Sequence, residues 1–413
     1  MQLIKRFLCV VLCASVFSFS SAQTKTLDYY LETAQNNSPL LRDIKIQISS
    51  ARIDSMRLRA GLKPQVNGTS AGLIAPVING YGYAGPITNY TTLSALVGVN
   101  QQIIGRNYRN AQLASIALQQ DSLVNASQLS VQDLKKAIIG QYITAYGDLQ
   151  QVKFSNDIIE LLTKEEEVLK KLTQSNVYRQ SDYLAFLVTL KQQQIQLLQT
   201  RTQYKSDFAT LNYLAGINDT TAFDLSEPKV ERSLLSYEQN SIFFAKFRLD
   251  SLRLVNSSSL IDYAYKPRAN VFADAGYNTD FVQPAKNFGT SAGFNLTIPI
   301  YDGGQRKLLH KKIQLQEESR QYYKYFYTKQ YHQQIDQLNQ QITETDKLFA
   351  QINEQIKYDE TLIKVDTQLL QTGDLKISDL ILAINNYLAV KNLYTQTTIN
   401  RLQLINQLNY WNK

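Results

Sequence analysis

Sixty-eight consecutive residues, 305 to 372, contain neither proline nor glycine. A run so free of helix breakers predicts one continuous helix, roughly 100 Å long at about 1.5 Å per residue. That far exceeds a typical globular helix and points to a coiled-coil-like assembly. A counterpart extends from Arg106 to about Leu172, interrupted only by Gly140 and Gly147. Within it Val131, Leu134, Ile138, Tyr142, Ala145, Leu149 and Val152 recur at steps of three and four, which places one apolar stripe along a helix.

The two long runs belong to a duplication. Ile103-Ile104-Gly105 matches Ile300-Tyr301-Asp302, Ser181-Asp182 matches Ser378-Asp379, and Leu211-Asn212-Tyr213 matches Leu408-Asn409-Tyr410, each pair 197 residues apart. Lys63-Pro64 matches Lys266-Pro267 at an offset of 203, so the intervening segment is six residues shorter in the second half. One offset held across a hundred residues marks a structural repeat. Each half reads as a shorter helix, two strands, a very long helix, a turn and another shorter helix. The first half is expected at about 27–61, 65–75, 91–103, 106–172 and 181–215, and the second at about 237–263, 268–279, 288–300, 304–371 and 379–410. The domain organisation is then a first repeat at 23–216, a connector at 217–236 and a second repeat at 237–413.

The strand ending at Ile300 alternates strictly. Phe288, Thr290, Ala292, Phe294, Leu296, Ile298 and Ile300 share one face, and Gly289, Ser291, Gly293, Asn295 and Thr297 the other. In the first repeat Leu93, Ala95, Val97, Val99, Gln101 and Ile103 oppose Ser94, Gly98, Asn100 and Gln102, with Leu96 and Gln101 breaking the pattern. An ordinary half-buried sheet shows the same alternation. Here long helices and a duplication accompany it, and a barrel wall with lipid outside and water inside accounts for all three. Four strands cannot close a barrel, and open edges in lipid cost several kcal/mol per unpaired group. The chain is therefore expected to oligomerise. Two copies would supply eight strands and three would supply twelve; the pattern does not choose. Tyr81, Tyr83 and Tyr90 near the first hairpin loop, with Tyr277, Phe281 and Phe288 around the second, are candidate interfacial anchors. Equally, they are six of many aromatics in a chain with 26 tyrosines.

The first residues bear on compartment. Lys5 and Arg6 precede an apolar run from Phe7 to Phe19, and Ser20 and Ala22 supply small residues before Gln23. This is the layout of a secretory signal peptide over 1–22, and its apolar run is too short to span a bilayer. Both cysteines, Cys9 and Cys13, fall inside it, so the mature chain is expected to be cysteine-free. Removing Lys5 and Arg6 from 43 basic residues leaves 41 against 35 acidic ones, a mature charge of about +6. The charges are scattered singly, which gives no support to nucleic-acid binding. No later stretch reaches the roughly 18 apolar residues of a membrane helix.

Chemistry is sparse. His310 and His332 lie 22 residues apart, too far to share a metal, and read as surface or packing residues. Gly303-Gly304 is followed by no Gly-Lys-Ser/Thr and reads as a strand-to-helix turn. Glu165-Glu166-Glu167 reads as a solvated face. Nothing assembles a nucleophile, base and oxyanion hole, so neither an enzyme, a cofactor nor a metal site is expected.

Lys-Pro-Gln-Val at 63–66, Lys-Pro-Arg-Ala at 266–269 and Ile-Pro-Ile-Tyr-Asp-Gly-Gly-Gln-Arg at 298–306 resemble the strand boundaries of the TolC-like outer-membrane efflux proteins. Gly373-Asp374 with Ile377-Ser378-Asp379-Leu380 is similar to the turn that opens that family's last helix, and Leu211 to Gly216 to the end of its first repeat. The resemblance implies a mainly α protein with membrane β structure. Its duplicated long-helix and β-hairpin protomer would form a homotrimer, with an α-barrel continuing a shared twelve-stranded transmembrane β-barrel. It implies a passive exit duct in outer-membrane lipid, serving tripartite efflux or type I secretion, that docks a periplasmic adaptor and through it an inner-membrane pump or ABC transporter. Asp379 falls on a family acidic position at the periplasmic aperture, with Asp182 as its repeat equivalent. Leu382 occupies the next such position, and both aspartates could instead serve as helix caps. Asn176, Val177, Gly373 and Asp374 mark the helical tips where an adaptor would dock. The rival reading is a soluble periplasmic coiled-coil adaptor or scaffold.

Overall fold

The computed structural model describes residues 25–83, 91–233, 241–279 and 288–413. The signal-peptide segment, Cys9, Cys13, Tyr90 and Phe281 lie outside them. The described elements are α1 (Leu27–Asn37), α2 (Pro39–Gly61), β1 (Gln65–Ile74), β2 (Thr91–Ile103), α3 (Arg106–Gln174), α4 (Gln180–Leu214), α5 (Ile242–Ala264), β3 (Arg268–Thr279), β4 (Phe288–Thr297), α6 (Gln305–Thr372) and α7 (Ile377–Trp411). The helix expected over 27–61 is two. Ser38, with ψ at 115°, breaks it, and Pro39 starts the next helix at a position where its missing N–H costs nothing. The last strand stops at Thr297, short of Pro299.

Two compact units form, and each draws on both sequence repeats. One comprises described residues 25–39, 131–233 and 331–413; the other comprises 40–83, 91–130, 241–279 and 288–330. We call them the helical unit and the sheet unit.

The helical unit holds the apolar core. The stripe read from α3 is here: Ile138, Tyr142, Ala145 and Leu149 are buried, packed with Tyr30, Ala34, Tyr204, Phe208 and Leu211. Polar edges are satisfied within it, the Tyr30 hydroxyl donating to Asn212 Oδ1 at 3.0 Å and the Tyr142 hydroxyl to the Ser226 carbonyl at 2.8 Å. Gly147 interrupts the stripe because α7 passes close by, and a β-carbon there would fall 2.1 Å from Ile399 Cδ1. A second cluster gathers Leu162, Leu169, Phe186, Leu370, Leu380 and Ile384 near the ends of the long helices.

The sheet unit contains one antiparallel sheet in the order β1-β2-β3-β4. The middle pairing joins the two hairpins, with Val97 opposite Ala275 and Ile103 opposite Ala269. The first loop carries an Asn79-Gly80 turn, both residues at positive φ, closed by paired backbone bonds between Ile78 and Tyr81. That geometry is the two-residue hairpin turn this dipeptide favours.

Candidate functional site

Register decides what the sheet can do, because side chains alternate between faces. The strand pairings put Val66, Gly68, Ser70 and Gly72 of β1 on one face with Leu93, Ala95, Val97 and Val99 of β2. The same face continues through Val271, Ala273, Ala275 and Tyr277 of β3 to Phe294, Ala292, Thr290 and Phe288 of β4. Apart from Gln101, opposite Val271, it is apolar or small, and it is uncovered: Val97 is 60 % and Phe294 72 % exposed. The opposite face carries Asn67, Ser94, Asn100, Asn270, Asp274, Ser291 and Asn295, with Ser291 Oγ donating to Asp274 at 2.7 Å. Among the described residues the outer edges of β1 and β4 are unpaired. Tyr277 pairs with Phe288 on the apolar face, while Tyr81 and Tyr83 stand exposed in the first loop.

The tips of the long helices are built twice to one plan. Helix α3 ends with Asn176 at φ 61°, its N–H on Thr173 O and the Val177 N–H on Leu172 O. Helix α6 ends with Gly373 at φ 82°, its N–H on Leu370 O and the Asp374 N–H on Leu369 O. Both are left-handed helix stops of the Schellman type, and every participating position is shifted by 197. The structure brings the two stops together: a β-carbon on Gly373 would lie 2.7 Å from Val177 Cγ1, and the Tyr178 hydroxyl reaches the Leu370 carbonyl at 3.5 Å. Asn176, Val177, Gly373 and Asp374 thus form one surface.

The two aspartates differ. Asp182 accepts the Arg179 backbone N–H at 3.3 Å, half of a capping box. Asp379 occupies the equivalent position in α7 but accepts from Ser378 Oγ at 3.1 Å instead. Asp379 is exposed, and one turn on, Leu382 is 60 % exposed. Asp366 on α6 is buried. Burial first, and then the Asp379 charge, push its pKa up.

Three groups were invisible in the sequence. Glu165, read as part of a solvated face, is buried; burial raises its pKa, and Oε2 has no hydrogen-bond partner. Its neighbour Glu166 accepts from Tyr183 at 2.5 Å. Asp148 of α3 faces Asp207 of α4. Burial and then the Asp207 carboxylate raise Asp148 to about 7. Burial works against ionisation of Asp207 too, but bonds from Asp148, Gln203 and Gln141 outweigh it and hold that carboxyl low. Asp148 Oδ2 is buried with no hydrogen-bond partner, which favours the neutral acid. Finally, His310 is neither a free surface residue nor apolar packing. Its Nε2 lies 2.9 Å from Asp262 Oδ1 and its Nδ1 3.1 Å from Ser258 Oγ, while Arg306 also donates to Asp262. Serine, histidine and aspartate in contact suggest a hydrolytic triad, but all sit on helices α5 and α6, where the local amides are bonded along the helix. The cluster ties the two helices together.

No helix among the described residues is long and apolar enough to cross a membrane. None of them forms a group of three His, Cys, Asp or Glu able to hold a metal.

A duplicated protomer of two very long helices, shorter partner helices and a four-stranded sheet with one bare apolar face is the fold of the TolC-like outer-membrane channel proteins. The chain is similar to a membrane protein from Pseudomonas aeruginosa, with 12% identity and a TM-score of 0.76 over 93% of this chain and 89% of that one. It is similar also to the outer membrane protein VceC of Vibrio cholerae, with 12% identity and a TM-score of 0.74 over 94% and 96% of the two chains. The open state of the Neisseria gonorrhoeae MtrE outer membrane channel matches with 12% identity and a TM-score of 0.73 over 93% and 88%. At such identity the likeness establishes the fold. No protein-family model matches the chain, and no curated protein matches it by sequence.

Proposed function

We propose that this protein is an outer-membrane channel, a passive exit duct of an efflux or type I secretion system, assembled from three copies. The observation that carries this reading is the largely apolar face that runs across all four strands between two open edges. In water that face would be a large sticky patch beside two aggregation-prone edges. In a twelve-stranded barrel, lipid covers the face and each β1 finds the β4 of a neighbouring copy. The helices support the same assembly. Leu184, Val188, Ile195 and Leu198 on α4, and Tyr358, Leu362, Val365 and Leu369 on α6, are exposed at spacings of three, four and seven. These have coiled-coil spacing and are left uncovered among the described residues.

Within this reading the joined tips at Asn176, Val177, Gly373 and Asp374 are the surface offered to a periplasmic adaptor, which would connect the duct to an inner-membrane pump or ABC transporter. Asp379, free of capping duty, is the better aperture candidate, and Asp182 the weaker one. Three Asp379 carboxylates around an axis would favour cations. The decisive experiment is fractionation followed by reconstitution. The mature protein should remain with outer membrane after carbonate extraction, run as a trimer in detergent and conduct ions in planar bilayers. Asp379→Ala should raise conductance or reduce cation preference. Recovery as a water-soluble monomer would sink the proposal and favour the adaptor reading.

A further inference from the structure

A cavity of about 400 Å³ lies in the sheet unit where the strands give way to helices. Arg106, Lys266 and Arg268 line it together with Tyr108, Tyr263 and Ile103, and no carboxylate lines it. The Lys266 ammonium sits 4.7 Å from the Tyr263 ring centroid, a cation–π contact that positions it without neutralising it. Arg268 spends one N–H on the Ala264 carbonyl at 2.6 Å and keeps its others. The Tyr108 and Tyr263 rings, with centroids 6.3 Å apart, supply an apolar wall.

The cavity adjoins the apolar face. Ile103, opposite Ala269, is the last outward position of β2 and is 56 % exposed. At the other end of the sheet, described residues 75–83 carry no charge at all. Arg106 and Lys266 thus stand at one end of a surface suited to acyl chains, and Arg268, one residue before outward Ala269, reaches the same cavity from the polar face. A phosphate with two hydrocarbon tails matches this arrangement: its charge meets the three cations while its tails follow the strands. We propose that this cavity binds the phosphate headgroup of a membrane phospholipid. The inference rests on the channel reading, because only a sheet facing lipid brings acyl chains to Ile103.

The test uses purified full-length protein in detergent. Wild type should retain phospholipid through purification, counted by lipid mass spectrometry, and should bind short-chain phosphatidylglycerol. The triple variant Arg106→Gln, Lys266→Gln, Arg268→Gln should bind about tenfold more weakly, and Arg106→Lys with Arg268→Lys should retain most binding. Diacylglycerol, which lacks the phosphate, should fail to compete. Inorganic phosphate should compete only at far higher concentration; if it competes as well as the lipid, the site takes a free anion and the lipid assignment is overturned. Equal lipid binding by wild type and the triple variant, with both in the outer-membrane fraction, overturns the site alone. Absence of wild type from that fraction overturns the channel reading and this site with it.

Discussion

The helical unit and the sheet unit come from one duplicated sequence, yet they solve the problem of apolar surface in opposite ways. In the helical unit Phe186, Phe208, Leu211, Leu370 and Leu380 are all but inaccessible. In the sheet unit the large apolar side chains of β2 and β4 point outward, and the buried set there is sparse, with Leu41, Ile44, Phe243, Phe244 and Leu249 among it. The helical unit carries a core of its own. The sheet unit leaves its apolar surface bare.

That contrast can be broken most severely from the sheet side. Val97→Arg with Phe294→Arg places two cations where the barrel would meet hydrocarbon, at about 2–4 kcal/mol each near mid-bilayer. The double variant should vanish from the outer-membrane fraction while the helical unit keeps its helical circular dichroism. Next, one substitution made in both units sharpens the difference. Phe208→Ala should cost about 3–5 kcal/mol by opening a cavity. Phe288→Ala, on the bare face, should leave thermal stability in detergent within about 0.5 kcal/mol of wild type. Similar losses from both would show that the sheet unit has a hidden core.

Smaller effects separate the two tips. Gly373→Ala should destabilise by about 1–2 kcal/mol, since it strains a left-handed residue and presses on Val177. Asn176→Gly, at the matching position, should be neutral or slightly stabilising; denaturant unfolding distinguishes them. The smallest effect is a pH dependence confined to the helical unit. Asp148 is raised to about 7, so between pH 4 and 7 the folded chain holds a proton the unfolded chain has released. Stability from this group is therefore full below about pH 4 and is lost as pH rises through 7. Asp148→Asn should flatten that slope by about 2 kcal/mol, allowing for partial exposure. An unchanged slope in thermal melts between pH 4 and 8 would show that Asp148 is ionised in the folded chain.

Much of the fold could be read from periodicity, because packing and register impose it locally. The α3 stripe became a core, and the alternation expected over 288–300 became a single face as far as Thr297, where the strand stops, once cross-strand register aligned it with β2 and β3. The stops at Asn176 and Gly373 were reachable because only a few residue types tolerate positive φ. What escaped notice depends on contacts between distant segments. Asp148 meets Asp207 from another helix, and His310 finds Ser258 and Asp262 52 and 48 residues away. Glu165 looked solvated because a charge run carries no sign of which member turns inward. The break at Ser38 had a local signal in Pro39, which disfavours a helical conformation for the residue before it.

The paired stops at Asn176 and Gly373 have a consequence for anything that grips the assembled rim. Three chains would present six look-alike teeth, but the residue following each stop alternates between Val177 and Asp374 around the circle. A collar matched to backbone outline alone could seat in six rotational settings; one that senses greasy and acidic teeth could seat in only three. In the proposed trimer the near-copy in the chain would supply the gear, and the Val177–Asp374 difference between its halves the keyway.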